Sequence, residues 1–79
     1  DPSTIQNSTV FTAETLKQYN GLNGQPAYVA VDGIVYDMSS VFRNGNHEGY
    51  KAGQDLTTAF HQKHPNSFLK KLTVVGIYQ

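Results

Sequence analysis

The chain has 79 residues, a formal net charge of zero and no cysteine. This length allows a single domain, and the lack of cysteine excludes disulfides, a zinc–thiolate site and a thioether-linked prosthetic group. The six basic residues are scattered along the chain, which excludes the clustered basic face that nucleic-acid binding needs. No apolar run approaches the roughly 20 residues that span a bilayer. A domain this small often depends on a bound metal or a large ligand for its stability.

Residues 1–9 have no apolar periodicity, and we expect them to form a loose polar tail or linker. We expect residues 10–79 to form the folded domain. The sequence begins at Asp1 rather than at Met, which is compatible with an upstream signal or membrane anchor and with an extracytoplasmic location. The compartment is left open, because the absence of cysteine fits many compartments.

The first predicted element is a short helix in the segment AETLKQYNG. Thr12 is a good N-cap for this helix, and Glu14 favours its first turn. Asn20 or Gly21 can supply a left-handed C-cap. These signals predict a helix that begins after Thr12 and ends near Asn20.

The segment AYVAVDGIVYDM carries the clearest secondary-structure signal. Two β-rich runs, residues 28–31 and 34–36, flank an Asp-Gly dipeptide at positions 32–33, which predicts a hairpin with a two-residue turn. Asp37 and Ser39 can cap the short turn that follows. The hairpin is therefore the predicted centre of the sheet.

Two more short helices are predicted after a loop rich in Gly and Asn. The first, DLTTAFHQK, begins at Gln54 or Asp55 and ends before Pro65. Its apolar stripe consists of Leu56, Ala59 and Phe60. Its predicted water-facing residues are Thr57, Thr58 and Gln62. The second, SFLKKL, can be capped by Asn66 or Ser67.

The closing run TVVGIY is rich in β-branched residues and predicts a strand that pairs with the hairpin. The predicted fold is a small α+β domain with a mixed sheet and several short helices. Residues 41–72 are inserted between the hairpin and the last strand. Their helices are shorter than the roughly 12 residues that an isolated helix needs, so we expect them to form the walls of a pocket whose contents support them.

The candidate ligands are the three histidines, His47, His61 and His64. His47 lies in a glycine-rich loop that permits close approach to a ligand, and His64 ends the helix whose apolar stripe would face the same cavity. Each could instead be a surface or capping residue. A zinc site made from the three histidines with Glu48 or Asp55 is a further alternative, although no HExxH or similar spacing defines it.

Signals of a catalytic site are lacking in the sequence. It has no cysteine nucleophile, no GxSxG and no paired carboxylates in an apolar segment, so we predict that the domain is not an enzyme. Two imidazoles on opposite walls of an apolar slot are instead the ligands of a six-coordinate, non-covalent b-type haem. Such a haem has no open coordination position and transfers electrons. The pattern favours an electron-transfer domain.

Several motifs occur in order over most of the chain, from Phe11 to Tyr78. They are FTAETLKQYNG, PAYVAVDGIVYDMSSVF, NGNHEGYKAGQDLTTAF and FLKKLTVVGIY. Together they resemble the opening helix, hairpin, ligand loop and closing strand of cytochrome b5-like domains, in the compact bacterial branch grouped as haem/steroid-binding. The resemblance implies the α+β fold of that family and a non-covalent haem b.

By this resemblance, His47 is similar to the family's first axial histidine, although His-Glu-Gly replaces the usual His-Pro-Gly-Gly here. His64 matches the second axial histidine when counted back from the closing Val-Val-Gly. Counted forward from the start of the preceding helix, the loop is slightly shorter than in relatives, which makes His61 a rival. Because His61 directly follows Phe60, it points about 100° away from that side chain, and we favour His64.

The resemblance also implies which side chains line the haem pocket. They are Val31, Met38, Val41, Phe60, Leu69 and Leu72. A second branch, similar to the membrane-associated progesterone receptor, holds haem through tyrosine, and Tyr50 is the candidate for that role here. The alternative function is a haem- or steroid-binding module without a redox role, and a third is a structural domain. As partner we expect a redox protein of unknown identity, and we expect the domain to be a monomer.

Overall fold

The structure is a computed structural model that describes residues 9–79. The predicted tail therefore lies outside the described residues, except for Thr9. In chain order the elements are β1 (Val10–Phe11), α1 (Ala13–Leu16), β2 (Tyr28–Val31), β3 (Ile34–Asp37), β4 (Asn46–His47), β5 (Tyr50–Lys51), α2 (Thr57–Lys63), a 3₁₀ helix (Asn66–Lys71) and β6 (Thr73–Tyr78).

The main sheet has four strands in the order β1-β6-β3-β2. β3 pairs antiparallel with both β2 and β6, and β1 pairs parallel with β6. The predicted pairing of the closing strand with the hairpin is therefore confirmed. β1 was not predicted, because two residues are too few to show an alternating pattern.

The hairpin turn follows the sequence prediction. Asp32 and Gly33 have φ angles of 54° and 80°, the pattern of the type I′ turn that matches strand twist. Asp37 Oδ1 then accepts hydrogen bonds from the backbone N–H and the hydroxyl of Ser39, at 3.0 and 2.6 Å. Ser39 Oγ in turn accepts from the N–H of Ala27 at 3.0 Å. These bonds fix the direction in which the chain leaves the sheet.

The first helix begins as predicted but ends early. Thr12 caps it with a capping box in which Thr15 is the reciprocal partner. The predicted C-cap at Asn20 or Gly21 is wrong, since α1 ends with Lys17 as its C-cap. The reason is tertiary: the N–H of Tyr28 donates to the carbonyl of Tyr19 at 2.9 Å, and this bond to β2 draws the segment out of helical geometry.

The second helix begins at Thr57, two residues later than the predicted Asp55. Asp55 Oδ1 accepts from the backbone N–H and the hydroxyl of Thr57, at 3.0 and 2.6 Å. The prediction that Thr57 faces water is wrong, because its Oγ1 accepts from the N–H of Asp32 at 2.9 Å. Thr57 thus ties the start of α2 to the hairpin turn.

The predicted end of α2 before Pro65 is confirmed, with His64 in extended geometry as C-cap. The segment after it is a 3₁₀ helix rather than an α-helix. The predicted caps Asn66 and Ser67 are wrong: Pro65 occupies the N-cap position, and no side-chain hydrogen bond caps this helix.

Side-chain alternation along the strands divides the core between the two faces of the sheet. One cluster consists of Phe11, Leu16, Ala30 and Val35. The other includes Val29, Val31, Tyr36, Met38, Phe42 and Phe60. The segment between β3 and β6 packs on the second cluster, and the candidate site lies on that face of the sheet. Within residues 9–79, no helix is long and apolar enough to cross a bilayer.

Candidate functional site

A small second hairpin, β4 and β5, positions His47. His47 pairs with Tyr50 across it, and the turn residues Glu48 and Gly49 have φ angles of 51° and 88°. Asn46 Oδ1 accepts from the N–H of Gly49 at 3.1 Å and closes the turn. Sequence reasoning missed this hairpin, because its two-residue strands show no period and only the glycine marked a turn.

The base of this hairpin is packed tightly against the connection between α1 and β2. Gly45 has a φ of 75°, and a Cβ atom there would overlap the carbonyl oxygen of Asn20. The carbonyl of Gly45 also accepts from the N–H of Ala52 at 3.1 Å. Position 45 therefore requires glycine, and the close approach holds His47 at a defined distance from the sheet.

Two phenylalanines position His64 from the opposite side. The His64 N–H donates to the carbonyl of Phe60 at 2.8 Å, which completes the last turn of α2. Its ring lies 4.7 Å from the Phe68 ring at 21° and 5.3 Å from the Phe60 ring at 40°. Phe68 comes from the 3₁₀ helix, so two elements restrict the orientation of this imidazole.

The His47 and His64 rings face each other across a cleft. Their centroids are 6.3 Å apart and their planes differ by 22°. One ring nitrogen from each lies within 4.8 Å of the other. Since this distance is well below the centroid separation, the two nitrogens lie on facing edges of the rings. The His47 side chain is 33% exposed, and its Nε2 lies 3.4 Å from Glu48 Oε2.

The cleft has a volume of about 440 Å³, counting its open mouth. Most of its lining is apolar or aromatic: Val29, Met38, Val41, Phe42, Tyr50, Leu56, Ala59, Phe60 and Phe68. The polar lining residues are His47, Glu48, Lys63 and His64. A cleft with this lining suits a mostly apolar ligand with a few polar anchor points.

Three of the six predicted lining residues, Met38, Val41 and Phe60, border the cleft. Val31 is fully buried in the apolar cluster beneath it, and Leu69 and Leu72 pack half-buried against that cluster. Contact of all six with a ligand stays a prediction. Sequence reasoning missed Phe42 and Phe68 as lining residues. The sequence feature that could have indicated them is that each is an aromatic residue a few positions away from His47 or His64.

His61 lies apart from the cleft. Its Nε2 is 2.8 Å from Asp32 Oδ2 in the hairpin turn, and its ring meets the Phe60 ring edge-on at 82°. The turn of the helix places consecutive side chains about 100° apart, which separates His61 from the direction of Phe60. Of the polar groups considered for a zinc site, the structure brings together His47, Glu48 and His64. Asp55 is instead bonded to Thr57.

Two tyrosines near the sheet have perturbed acidity. Burial raises the pKa of Tyr36, with a smaller contribution from the charge of Asp32. Burial likewise raises the pKa of Tyr28, with smaller contributions from Asp37 and Tyr19. Neither tyrosine borders the cleft. A phenol is protonated at neutral pH even at its ordinary pKa, so both tyrosines act as neutral packing groups there, and the raised pKa values extend this state to more alkaline pH.

Residues 12–79 match the family model described as the Cytochrome b5-like Heme/Steroid binding domain. The chain belongs to this family. The resemblance read from the sequence motifs is therefore confirmed, and so is the α+β fold expected from it. The family description names a binding domain for haem or steroid.

Two curated relatives fit this membership. A Neuferricin homolog from Drosophila pseudoobscura pseudoobscura is 36% identical over 56 residues, which are 67% of this chain and 20% of that protein. The Arabidopsis thaliana protein named Probable steroid-binding protein 3 is 42% identical over 53 residues, which are 62% of this chain and 53% of that protein. The matches thus span from a fifth to about half of the length of these relatives.

Solved structures support the same fold. A cytochrome b5 domain protein from Hadesarchaea is 43% identical, with a TM-score of 0.82 over 90% of this chain and 99% of that one. One from Methanococcoides burtonii is 35% identical, with a TM-score of 0.81 over 90% and 97%. A hypothetical Arabidopsis thaliana protein with a cytochrome b5-like fold is 27% identical, with a TM-score of 0.67 over 91% and 92%.

The donor atoms of the cleft fit an iron porphyrin. A metal bound by two imidazole nitrogens at about 2.0–2.1 Å holds them about 4 Å apart when they lie on opposite sides of it. The facing nitrogens of His47 and His64 lie within 4.8 Å, so a shift of less than about 1 Å meets that requirement. The nearly parallel rings and the apolar lining are consistent with a flat macrocycle between them.

Proposed function

We propose that the domain holds a non-covalent haem b between His47 and His64 and passes single electrons to and from a partner protein. One observation carries this proposal: two imidazole nitrogens lie on facing edges across an apolar cleft. Neutral imidazole is a strong ligand for haem iron. With both axial positions filled by histidine, the site favours electron transfer over oxygen chemistry.

The chain's own residues hold the ligands and exclude water. Phe60 and Phe68 pack against His64, and Phe42 lies 5.6 Å from the His47 ring. These aromatic contacts restrict both imidazoles before a ligand enters, which lowers the entropic cost of binding. Lys63 at the cleft border offers a cation to an anionic group at the mouth. When bound, the haem would supply a one-electron iron couple.

The second candidate is a steroid-like ligand without redox chemistry. The family description and the Arabidopsis thaliana relative's name both mention steroid binding, and the cleft lining is largely apolar. A steroid makes no use of two facing imidazole nitrogens, which is why we favour haem. Tyr50 also borders the cleft and is the candidate ligand if haem binds through tyrosine.

An absorption spectrum of the haem-reconstituted protein tests the proposal. We expect a low-spin spectrum with sharp bands after reduction, and loss of that spectrum in both His47→Ala and His64→Ala. His61→Ala is the matched control, because it removes a histidine from the same helix outside the cleft. Its spectrum should equal that of the wild type. A high-spin spectrum, or loss in only one of the two cleft variants, would overturn bis-histidine ligation.

Tyr50→Phe separates the two ligation schemes. Under bis-histidine ligation the variant keeps the low-spin spectrum, because the phenol does not touch the iron. A change of axial ligand in Tyr50→Phe would instead support tyrosine ligation. Retention of a steroid probe such as progesterone by a protein that takes up no haem would support the second candidate.

The net charge of the segment that contains most of the cleft residues supports an acidic redox partner. Residues 43–71 carry five basic and two acidic side chains, a net charge of +3 with histidine neutral. The exposed basic residues are Arg43, Lys51, Lys63, Lys70 and Lys71. The other described residues carry one basic and three acidic side chains, a net charge of −2. An excess of exposed basic side chains in this segment would accelerate encounter with negatively charged partners.

Small redox reagents of opposite charge test this surface. Oxidation of the reduced protein by ferricyanide should slow as ionic strength rises, and oxidation by hexaammineruthenium(III) should accelerate. Lys63→Gln should weaken both dependences. Lys17→Gln, at the end of α1, is the matched control and should leave them unchanged. Equal salt dependence for both reagents would contradict a positive docking surface.

A further inference from the structure

We infer that, when the cleft holds no haem, His47, Glu48 and His64 bind one divalent transition-metal ion of the zinc class. Each residue offers one ligand atom, and the three atoms lie within 4.8 Å of one another. The ion uses the same two histidines as the proposed haem, but its binding does not depend on the proposed function. Only the mutual exclusion of the ion and haem rests on that function.

The spacing of two of the donors matches metal ligands better than a hydrogen-bonded pair. His47 Nε2 and Glu48 Oε2 are 3.4 Å apart. Two ligands at about 2.0–2.1 Å from a tetrahedral ion are separated by about 3.3–3.4 Å. A charge-assisted hydrogen bond between the same atom types is shorter, at about 2.7–2.9 Å. The two atoms therefore have a separation that a shared tetrahedral ion would require, and the His64 nitrogen, within 4.8 Å of them, would complete the site by moving closer.

The turn between β4 and β5 keeps Glu48 beside His47. Glu48 has a φ of 51°, a left-handed conformation that non-glycine residues rarely adopt. Pairing of His47 with Tyr50 and the bond from the Gly49 N–H to Asn46 maintain it. The turn thus places Glu48 next to His47 in the chain, with its exposed carboxylate within reach of the imidazole.

The third donor, His64, comes from the opposite wall, so the ion would link the two walls. Three protein ligands from two histidines and one carboxylate suit zinc and leave a position for water. Imidazole nitrogens also suit copper, nickel and iron, whereas magnesium and calcium prefer oxygen ligands alone. The Glu48 side chain is 57% exposed, so a hydrated ion can reach the site from solvent.

Titration of the haem-free protein with metal salts tests the inference. Calorimetry with Zn²⁺ should show one ion per chain, and Co²⁺ should give the visible bands of a four-coordinate site. Mg²⁺ should not bind. His47→Ala and His64→Ala should abolish Zn²⁺ binding, and Glu48→Gln should weaken it by about tenfold or more. His61→Ala is the control and should keep the wild-type affinity.

Glu48→Gln also separates this inference from the proposed function. Glutamine fits the same exposed turn, so the variant should fold, as far-ultraviolet circular dichroism can verify. It should lose zinc affinity in the haem-free protein, and this loss is measured independently of the haem spectrum. Zinc-loaded wild type should take up haem only after a chelator is added. If haem does not bind but zinc does, the proposed function fails and the zinc site stands.

The metal inference is overturned by any of three results. These are the absence of Zn²⁺ binding to the folded haem-free protein, unchanged affinity in Glu48→Gln, and loss of binding in His61→Ala. The first would show that the cleft donors do not converge in solution. The second would remove the carboxylate from the site, and the third would move the site to the surface pair of His61 and Asp32.

Discussion

The sheet and the segment that forms the cleft differ in how they are held together. Around the sheet, the side chains of Leu16, Val29, Val31 and Val35 are less than 2% exposed. In the cleft segment, Phe60 is the buried residue of α2, and the 3₁₀ helix has no buried residue. The cluster of Phe11, Leu16, Ala30 and Val35 closes one face of the sheet without the cleft segment, whereas the cleft walls keep much apolar surface for contact with a ligand.

The cleft segment is attached to the sheet at a few points along β2 and its turn. The Ala30 N–H donates to the carbonyl of Gln54 at 3.1 Å, and the Leu56 N–H donates to the carbonyl of Ala30 at 2.9 Å. Thr57 and His61 contact Asp32 in the turn. The start of α2 is thus firmly tied, while the 3₁₀ helix beyond it depends on packing. This difference predicts where the domain opens first.

The largest expected difference is between leucine truncations in the two regions. Leu16→Ala should lower the free energy of unfolding by about 2–5 kcal/mol, because it leaves a cavity in a closed core. Leu69→Ala should cost only about 1 kcal/mol in the haem-free protein, since its side chain is only partly buried. Urea unfolding measures both. Equal losses would mean that the cleft walls pack as tightly as the sheet.

Haem removal should loosen one region more than the other. Hydrogen exchange in residues 42–72 should accelerate markedly without haem, while protection in β2, β3 and β6 changes little. At a free haem concentration of 100 times Kd, binding stabilises the native state by about 2.7 kcal/mol. Uniform changes in protection across both regions would show that haem does not stabilise the cleft segment more than the sheet.

Loss of the link between α2 and the hairpin turn should have a smaller effect. Thr57→Val removes the hydroxyl that accepts from Asp32 and donates to Asp55 while keeping the shape of the side chain. We expect a loss of about 1 kcal/mol in unfolding free energy. The neighbouring Thr58→Val is the matched control, because Thr58 is exposed. A similar loss in both variants would point to helix propensity instead of the link.

The smallest predicted effect is a loss of folding stability at alkaline pH, caused by Tyr36 in β3. The folded-state pKa of Tyr36 is raised above 10.0 by burial and by Asp32. Because the folded state favours the neutral phenol, this contribution to stability is present below pH 10 and is lost as pH rises through the raised pKa. Tyr36→Phe should therefore lose less stability than the wild type on going from about pH 9 to pH 11. Identical pH profiles in urea unfolding would exclude this role.

Several elements could be predicted because their signals are local. The Asp32-Gly33 turn follows from backbone sterics, and the Thr12 cap follows from a hydrogen bond three residues along the chain. Pro65 ends α2 because it cannot continue a helix easily. The motifs that indicated the family were strings of such local signals in order.

Other elements form only because of contacts with residues distant in the chain. They are the early end of α1, the two-residue strands β1, β4 and β5, and the 3₁₀ helix. β1 exists because β6 lies beside it, and α1 ends where Tyr19 bonds to Tyr28. Two residues carry too little pattern to indicate a strand. For these elements, non-local hydrogen bonds decided between conformations that the sequence left nearly equal.

For the candidate site, the sequence alone determined which residues could serve as ligands and the order in which they enter the fold. It favoured His64 over His61 without excluding His61, and it offered Glu48 only as one of two alternative carboxylates beside the three histidines. Only the tertiary structure brought His64 opposite His47, turned His61 toward Asp32 and placed the Glu48 carboxylate 3.4 Å from His47. The physical reason is that ligand geometry depends on the separation of two walls, which packing sets and no short sequence motif encodes.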